Sequence, residues 1–185
     1  MPLRNRIKSY IVGETATIDE VRPQLWTATT NRAHPSIGTE CQAAVLDQYK
    51  IYVEMADRIS ARRALANTFF LTLNTLVLAV IGALWRDSPD AARWILVFPL
   101  LALLVQCLAW FWLIRSYRQL NAAKYVVIGA LEERLPASPY WRAEWTALGE
   151  GRDRTRHRPL TYLEQWIPLV FMFVYLSSFV VALAA

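Results

Sequence analysis

Residues 64–85 read ALANTFFLTLNTLVLAVIGALW, an unbroken stretch of 22 residues without a single charge. An α-helix rises about 1.5 Å per residue, so roughly 20 residues cross a hydrocarbon core of about 30 Å. Two further windows pass the same test: Trp94–Ile114 and Gln165–Ala185 are equally free of Asp, Glu, Lys and Arg. A soluble core helix rarely stays uncharged for so long. The expectation is an all-α integral membrane protein with three transmembrane helices. The chain as a whole agrees, with 185 residues, 55% hydrophobic, and only 19% charged against the usual quarter.

Working outward from the windows, charge sets orientation. Residues 1–63 carry nine Lys/Arg and seven Asp/Glu, and the link between the first two spans carries only Arg86, Asp87, Asp90 and Arg93. Residues 115–164 carry nine Lys/Arg and six Asp/Glu. Arg58, Arg62 and Arg63 precede span one; Arg115 and Arg118 follow span two; Arg152, Arg154, Arg156 and Arg158 precede span three. Basic residues close to a span mark the cytoplasmic side, and all three clusters fall on one side. The expected layout has a cytoplasmic N-terminus, a short outer link, a cytoplasmic middle segment and a C-terminus at the outer face. Trp85 and Trp94 flank the link, and Trp110, Trp112 and Trp166 stand near the inner ends, the interfacial positions tryptophan prefers. Residues 1–39 contain no apolar run of signal length, so the first export signal is expected to be span one.

Four segments follow. Residues 1–39, with Pro2, Pro23 and Pro35, read as irregular or loosely docked, with room for one short strand around Ser9–Gly13. Residues 40–135 read as a long antiparallel helical hairpin containing spans 64–85 and 94–114. Residues 136–162 read as a cytoplasmic linker with a short helix at Tyr140–Leu148 carrying Trp141 and Trp145. Residues 163–185 form span three. No Gly or Pro interrupts Gln42–Ile81, so the segment before span one and the span itself read as one rod, reaching roughly 35 Å beyond the membrane at about 1.5 Å per residue. Val45, Tyr49, Tyr52, Ala56 and Ile59 recur at the spacing of one apolar helix stripe, which is also a coiled-coil seam. The helix after span two continues through Leu120, Ala123, Val127 and Ala130 to about Leu135. The two arms' stripes need a partner, each other or a neighbouring subunit. Ser88, Pro89 and Asp90 form a helix start. Pro99 and Pro168 are expected to kink the second and third spans, and Thr161 with Glu164 is a capping-box pattern opening the third.

Span one carries a polar stripe. Asn67, Thr68, Thr72, Asn74 and Thr75 fall within about 160° of one another at 100° per residue. Asparagine is costly against lipid, so this face is expected to be buried in protein or to line a lumen. Interhelical hydrogen bonding is the favoured reading, because no ionisable residue joins the stripe. The run Arg152, Arg154, Arg156, Arg158 offers contacts to anionic lipid headgroups at about 1 kcal/mol per basic residue, or serves as a topology signal alone. Nucleic acid is not an expected partner.

Chemistry-bearing patterns are sparse. Cys41 and Cys107 form no disulfide scaffold and stand in no metal-ligand spacing; His34 and His157 sit in separate polar stretches. Six glycines build no phosphate loop. Asp47, Glu54 and Asp57, and likewise Glu132 and Glu133, read as solvated helix faces. No cofactor, metal site or catalytic residue is expected, and the chain is read as a non-enzyme.

The stretch Gln48-Tyr-Lys-Ile-Tyr-Val-Glu-Met-Ala-Asp-Arg-Ile-Ser-Ala-Arg-Arg63, running into Asn67-Thr-Phe-Phe-Leu-Thr-Leu-Asn74-Thr, resembles the bacterial RipA-like family of small integral membrane proteins. The tail Leu163–Ser178 is similar in character but less specific. The resemblance covers about residues 40–185. It implies a bacterial cytoplasmic-membrane protein assembling as a homo-octamer, with membrane lipids and its own copies as partners, and implies no established catalytic activity. A looser similarity is to multi-span membrane effectors of antiphage systems. Three functions are therefore weighed: a homo-oligomeric scaffold or conduit, a triggered membrane-permeabilising effector, and a lipid-acting membrane enzyme.

Overall fold

The computed structural model describes residues 16–26, 38–87, 97–149 and 160–184. Among these, every regular element is helical. In chain order they are α1 (Ile18–Leu25), α2 (Gly38–Asp87), α3 (Val97–Glu132), α4 (a π-wound turn Pro139–Glu144 running into Trp145–Ala147) and α5 (Leu160–Ala184). Helices α2, α3 and α5 are each long and apolar enough to cross a membrane. Their most apolar windows have mean hydropathy 1.9, 2.2 and 2.2. The expected all-α architecture with three spans is what the chain adopts.

The chain divides into two compact units, each with its own packing. The unit of residues 61–117 and 159–185 holds the three uncharged windows. Its centre is Leu103, Cys107 and Tyr175, with Val77, Leu78, Ile81, Leu100, Phe171 and Met172 packed round them. Within it α2 and α3 run in opposite directions, Asn67 meeting Trp110 and Asn74 meeting Cys107. Buried Pro168 lies inside α5, whose helical run continues on both sides of it. That helix opens at Leu160, one residue before the expected N-cap Thr161. Glu164 is instead drawn to Arg63, at 3.4 Å. The helix start expected at Ser88 lies outside the described residues. Pro99 lies two residues into the described part of α3, and the residues just before Val97 lie outside the described residues.

The unit of residues 1–60 and 118–158 holds the two arms. They too are antiparallel: Tyr49 pairs with Glu132, Met55 with Lys124, and Ser60 with Asn121. Val45, Ala56 and Ile59 of the seam are buried here, with Tyr49 and Tyr52 half-buried. Opposite them Val126, Ile128, Ala130 and Leu131 are buried on α3. The seam is therefore satisfied to this extent within one chain.

Within the segment expected to be irregular or loosely docked, the described residues 16–26 contain the helix α1. The Thr17 N–H donates to the Glu20 carboxylate at 3.0 Å, which caps the first turn. Asp19 and Glu20 stand at the positive end of the helix. Pro23 removes one helical N–H, and the helix ends two residues later at Leu25. The strand expected at Ser9–Gly13 lies outside the described residues.

Candidate functional site

In the membrane-spanning unit the polar positions of α2 separate into two groups. Asn67 and Asn74 are seven residues apart and so nearly eclipsed on the helix, differing by about 20°. Both turn into the three-helix pack. Asn74 is fully buried. Its amide nitrogen donates to the Phe70 carbonyl at 2.8 Å. Its Oδ1 accepts from the Tyr175 hydroxyl at 2.9 Å and from the Cys107 thiol at 3.5 Å. One side chain thus ties all three spans together. Asn67 Oδ1 accepts from the Trp110 indole N–H at 3.2 Å. The Trp110 ring lies stacked on Phe70 at 5.7 Å and tilted against Phe171 at 6.0 Å.

Thr68, Thr72 and Thr75 form the other group, rotated about 80–140° from Asn67, and all three are exposed. Thr68 and Thr75 donate back to their own helix, to the Ala64 carbonyl at 3.0 Å and the Leu71 carbonyl at 2.8 Å. The stripe read as one face is therefore two: an amide face inside the subunit and a hydroxyl face outside it.

Gln106, one residue before Cys107, escaped the sequence reading. Its amide nitrogen is covered and finds no hydrogen-bond partner among the described residues.

In the arm unit the chemistry gathers on two adjacent carboxylates at the end of α3. Glu132 is only 2% exposed. It accepts from the Ser138 hydroxyl at 2.6 Å, from the backbone N–H groups of Tyr140 and Trp141 at 3.0 Å each, and from the Tyr49 hydroxyl at 3.2 Å. This carboxylate caps the start of α4, whose first N–H groups have no helical acceptor. The solvated position expected of Glu132 is thus incorrect. What betrays it in the sequence is Ser138-Pro139, a helix start six residues downstream that wants an anion.

Glu133 faces the other way and grips Arg22 of α1 through two bonds, 2.8 and 2.6 Å. Arg22 also reaches Asp19 at 2.7 Å. The Arg22 guanidinium holds the Glu133 carboxyl below its ordinary value. Arg134 stacks over Trp26 at 3.4 Å. Gly129 is the notch into which Ile18 and Trp141 both pack; an added Cβ there would meet the Trp141 ring at 2.8 Å and Ile18 at 3.1 Å. Trp141, carried by the short helix expected at Tyr140–Leu148, thus packs one part of its ring into this notch while the rest stays exposed.

Arg152, Arg154, Arg156 and Arg158 lie outside the described residues. Among the described residues there is no cluster of three or more His, Cys, Asp or Glu able to hold a metal.

Three apolar helices cross-linked by buried amides, hydroxyls and an indole define a polytopic α-helical membrane protein. Its polar groups serve helix association, as in bilayers generally. More narrowly, the chain belongs to the octameric membrane protein family (8xMP), whose profile matches residues 46–184. No curated protein and no solved structure matches the chain. The matched range omits α1 and begins within the arm seam.

Proposed function

We propose that the protein is a subunit of an octameric scaffold in a bacterial cytoplasmic membrane, with no catalytic role of its own. The observation that carries this reading is where the polar side chains of the spans go. The Asn67 carbonyl oxygen accepts from Trp110 and the Asn74 carbonyl oxygen from Tyr175, while the Asn74 amide nitrogen returns to its own helix at Phe70. A subunit whose central asparagine is held from all three spans keeps a fixed shape, and the three uncharged windows contain none of the Asp, Glu, Lys or Arg side chains from which a proton or ion path is built. The Cys107 thiol faces an amide and a phenol, neither of which supplies the general base that nucleophilic catalysis requires. Large apolar side chains remain outward on the arm of α2, Ile51 at 55% and Met55 at 42% exposed. They stand four residues apart on one face, a surface suited to a neighbouring copy. The N-terminus faces the cytoplasm and the C-terminus the outer side, as the basic flanks require.

A second reading is favoured by one feature, the exposed hydroxyl face of Thr68, Thr72 and Thr75. Arranged round an eightfold axis, it would line a conduit between subunits. Both readings are tested in reconstituted vesicles loaded with a self-quenching dye and with potassium. A scaffold leaks neither, and its native mass in mild detergent corresponds to eight subunits. Flux that Thr72→Leu abolishes would replace the scaffold by the conduit, and a monomeric mass would remove both.

A further inference from the structure

The membrane-spanning unit contains a groove of about 430 Å³ between the ends of the spans on either side of the link 88–96. Its walls include Leu78 and Gly82 of α2, Pro99 and Leu103 of α3, and Tyr175 and Phe179 of α5. The volume falls in the range of true ligand sites. The lining is almost wholly hydrocarbon. Tyr175 offers its ring, because its hydroxyl is turned to Asn74, and Pro99 has no N–H to present. At Gly82 an added Cβ would meet nothing within 4 Å, so the groove is open there. Its floor, Leu103 and Tyr175, is buried and fixed by the Asn74 network.

We infer that this groove is a specific site for one acyl chain of a membrane phospholipid, held as a structural lipid by each subunit. Three observations favour that occupant. The groove lies wholly among the uncharged windows, where the medium is lipid hydrocarbon. Its wall, apolar along its length except for the single hydroxyl of Ser178, suits a flexible alkyl chain and gives a polar ligand little to hold. A helix of a second copy is about 10 Å across, too wide to descend between three packed helices to the Tyr175 floor, whereas an alkyl chain is narrow enough. An empty cleft would forfeit the dispersion contacts of its whole lining. The inference does not depend on the scaffold reading.

The test uses the full chain purified in mild detergent, stripped of lipid by extended washing, and given back phosphatidylcholine with sixteen- and eighteen-carbon chains. Native mass spectrometry then counts lipids per subunit together with the subunit number. Wild type should retain about one phosphatidylcholine per subunit, and Gly82→Phe, which fills open space, should retain at least tenfold less. Val181→Trp at the exposed rim is the second variant and should behave the same way should Gly82→Phe not assemble. Gly82→Ala should bind as wild type does. No lipid retained by wild type, or equal retention by the filled variants, overturns the site. So does loss of subunit number in Gly82→Phe with lipid unchanged, which would mean that a neighbouring copy covers the groove.

Discussion

Asn74 shows how one polar residue can position three helices. In hydrocarbon an unmade hydrogen bond has no water to turn to, yet measured interhelical bonds average only about 0.6 kcal/mol and reach about 1.7. Asn74 accepts from two neighbouring helices at once. Asn74→Leu should therefore destabilise the folded protein by about 1–2 kcal/mol, and Asn67→Leu, with one interhelical bond to lose, by about half as much. Unfolding titrations in mixed micelles check both. A double-mutant cycle of Asn74→Leu with Tyr175→Phe should show coupling, because the two changes remove the same bond. Gln106 runs the opposite way. Its covered, unpaired amide nitrogen is a standing cost of about 1–3 kcal/mol, so Gln106→Leu should raise stability in the same titration. A loss of stability would mean that the amide finds a partner in the assembly.

At the scale of the element, the spans were legible because exclusion of charge over some twenty residues has almost no cause other than lipid. The arm seam was legible because Val45, Ala56 and Ile59 keep helical period, and they are buried. The polar stripe was legible as a set of residues but not as two faces. A span packed in a three-helix unit buries a narrower arc than the 160° drawn from periodicity, and only the asparagines fall inside it. Two other features were missed for a different reason. The Thr17–Glu20 cap is the same pattern as Thr161 with Glu164, but Pro23, six residues into the helix, argues against a helix there. The role of Glu132 depends on a chain reversal through Pro136 and Pro139, which helical periodicity does not encode.

The junction of α1 with the end of α3 allows a prediction with a definite sign. Arg22 depresses the Glu133 carboxyl, so the contact adds stability above the ordinary carboxylate pKa of about 4.3 and loses it as pH falls through the lowered value. Arg22 is itself raised by Glu133 and Asp19, and stays charged throughout. Hydrogen exchange of the α1 amides, corrected for intrinsic rates, should be slow at neutral pH and accelerate at acid pH. Arg22→Ala should give the fast rate at every pH. Salt should act in the same direction, since the pair is partly exposed. Amides of α4 should respond instead to Glu132→Ala, which strands the Tyr140 and Trp141 N–H groups and the Ser138 hydroxyl, at about 2–3 kcal/mol.

For the whole molecule, membership of an octameric family shifts attention from what is buried in one chain to what is left uncovered. In the spans, exposed Leu, Val and Phe side chains need no explanation, because lipid accepts them. On the arm the medium is water, and the same exposure at Ile51 and Met55 is a demand for a partner. The charged residues beside them are already engaged within the helix: Lys50 with Asp47 at 3.1 Å and Arg58 with Glu54 at 2.7 Å. These exposed pairs add little to folding; what they do is frame an apolar strip with charge, as at the rim of an interface. Ile51→Glu would place a carboxylate in the centre of that strip. It should leave the helix content and membrane insertion of the chain unchanged, because Ile51 is more than half exposed in its own subunit and lies outside the uncharged windows. It should also shift the native mass in detergent from eight subunits to smaller species. Ile51→Val, which keeps the strip apolar, should assemble normally. An octamer that survived Ile51→Glu intact would place the subunit contacts in the spans, and the outward threonine face of α2 would then be the surface to substitute next.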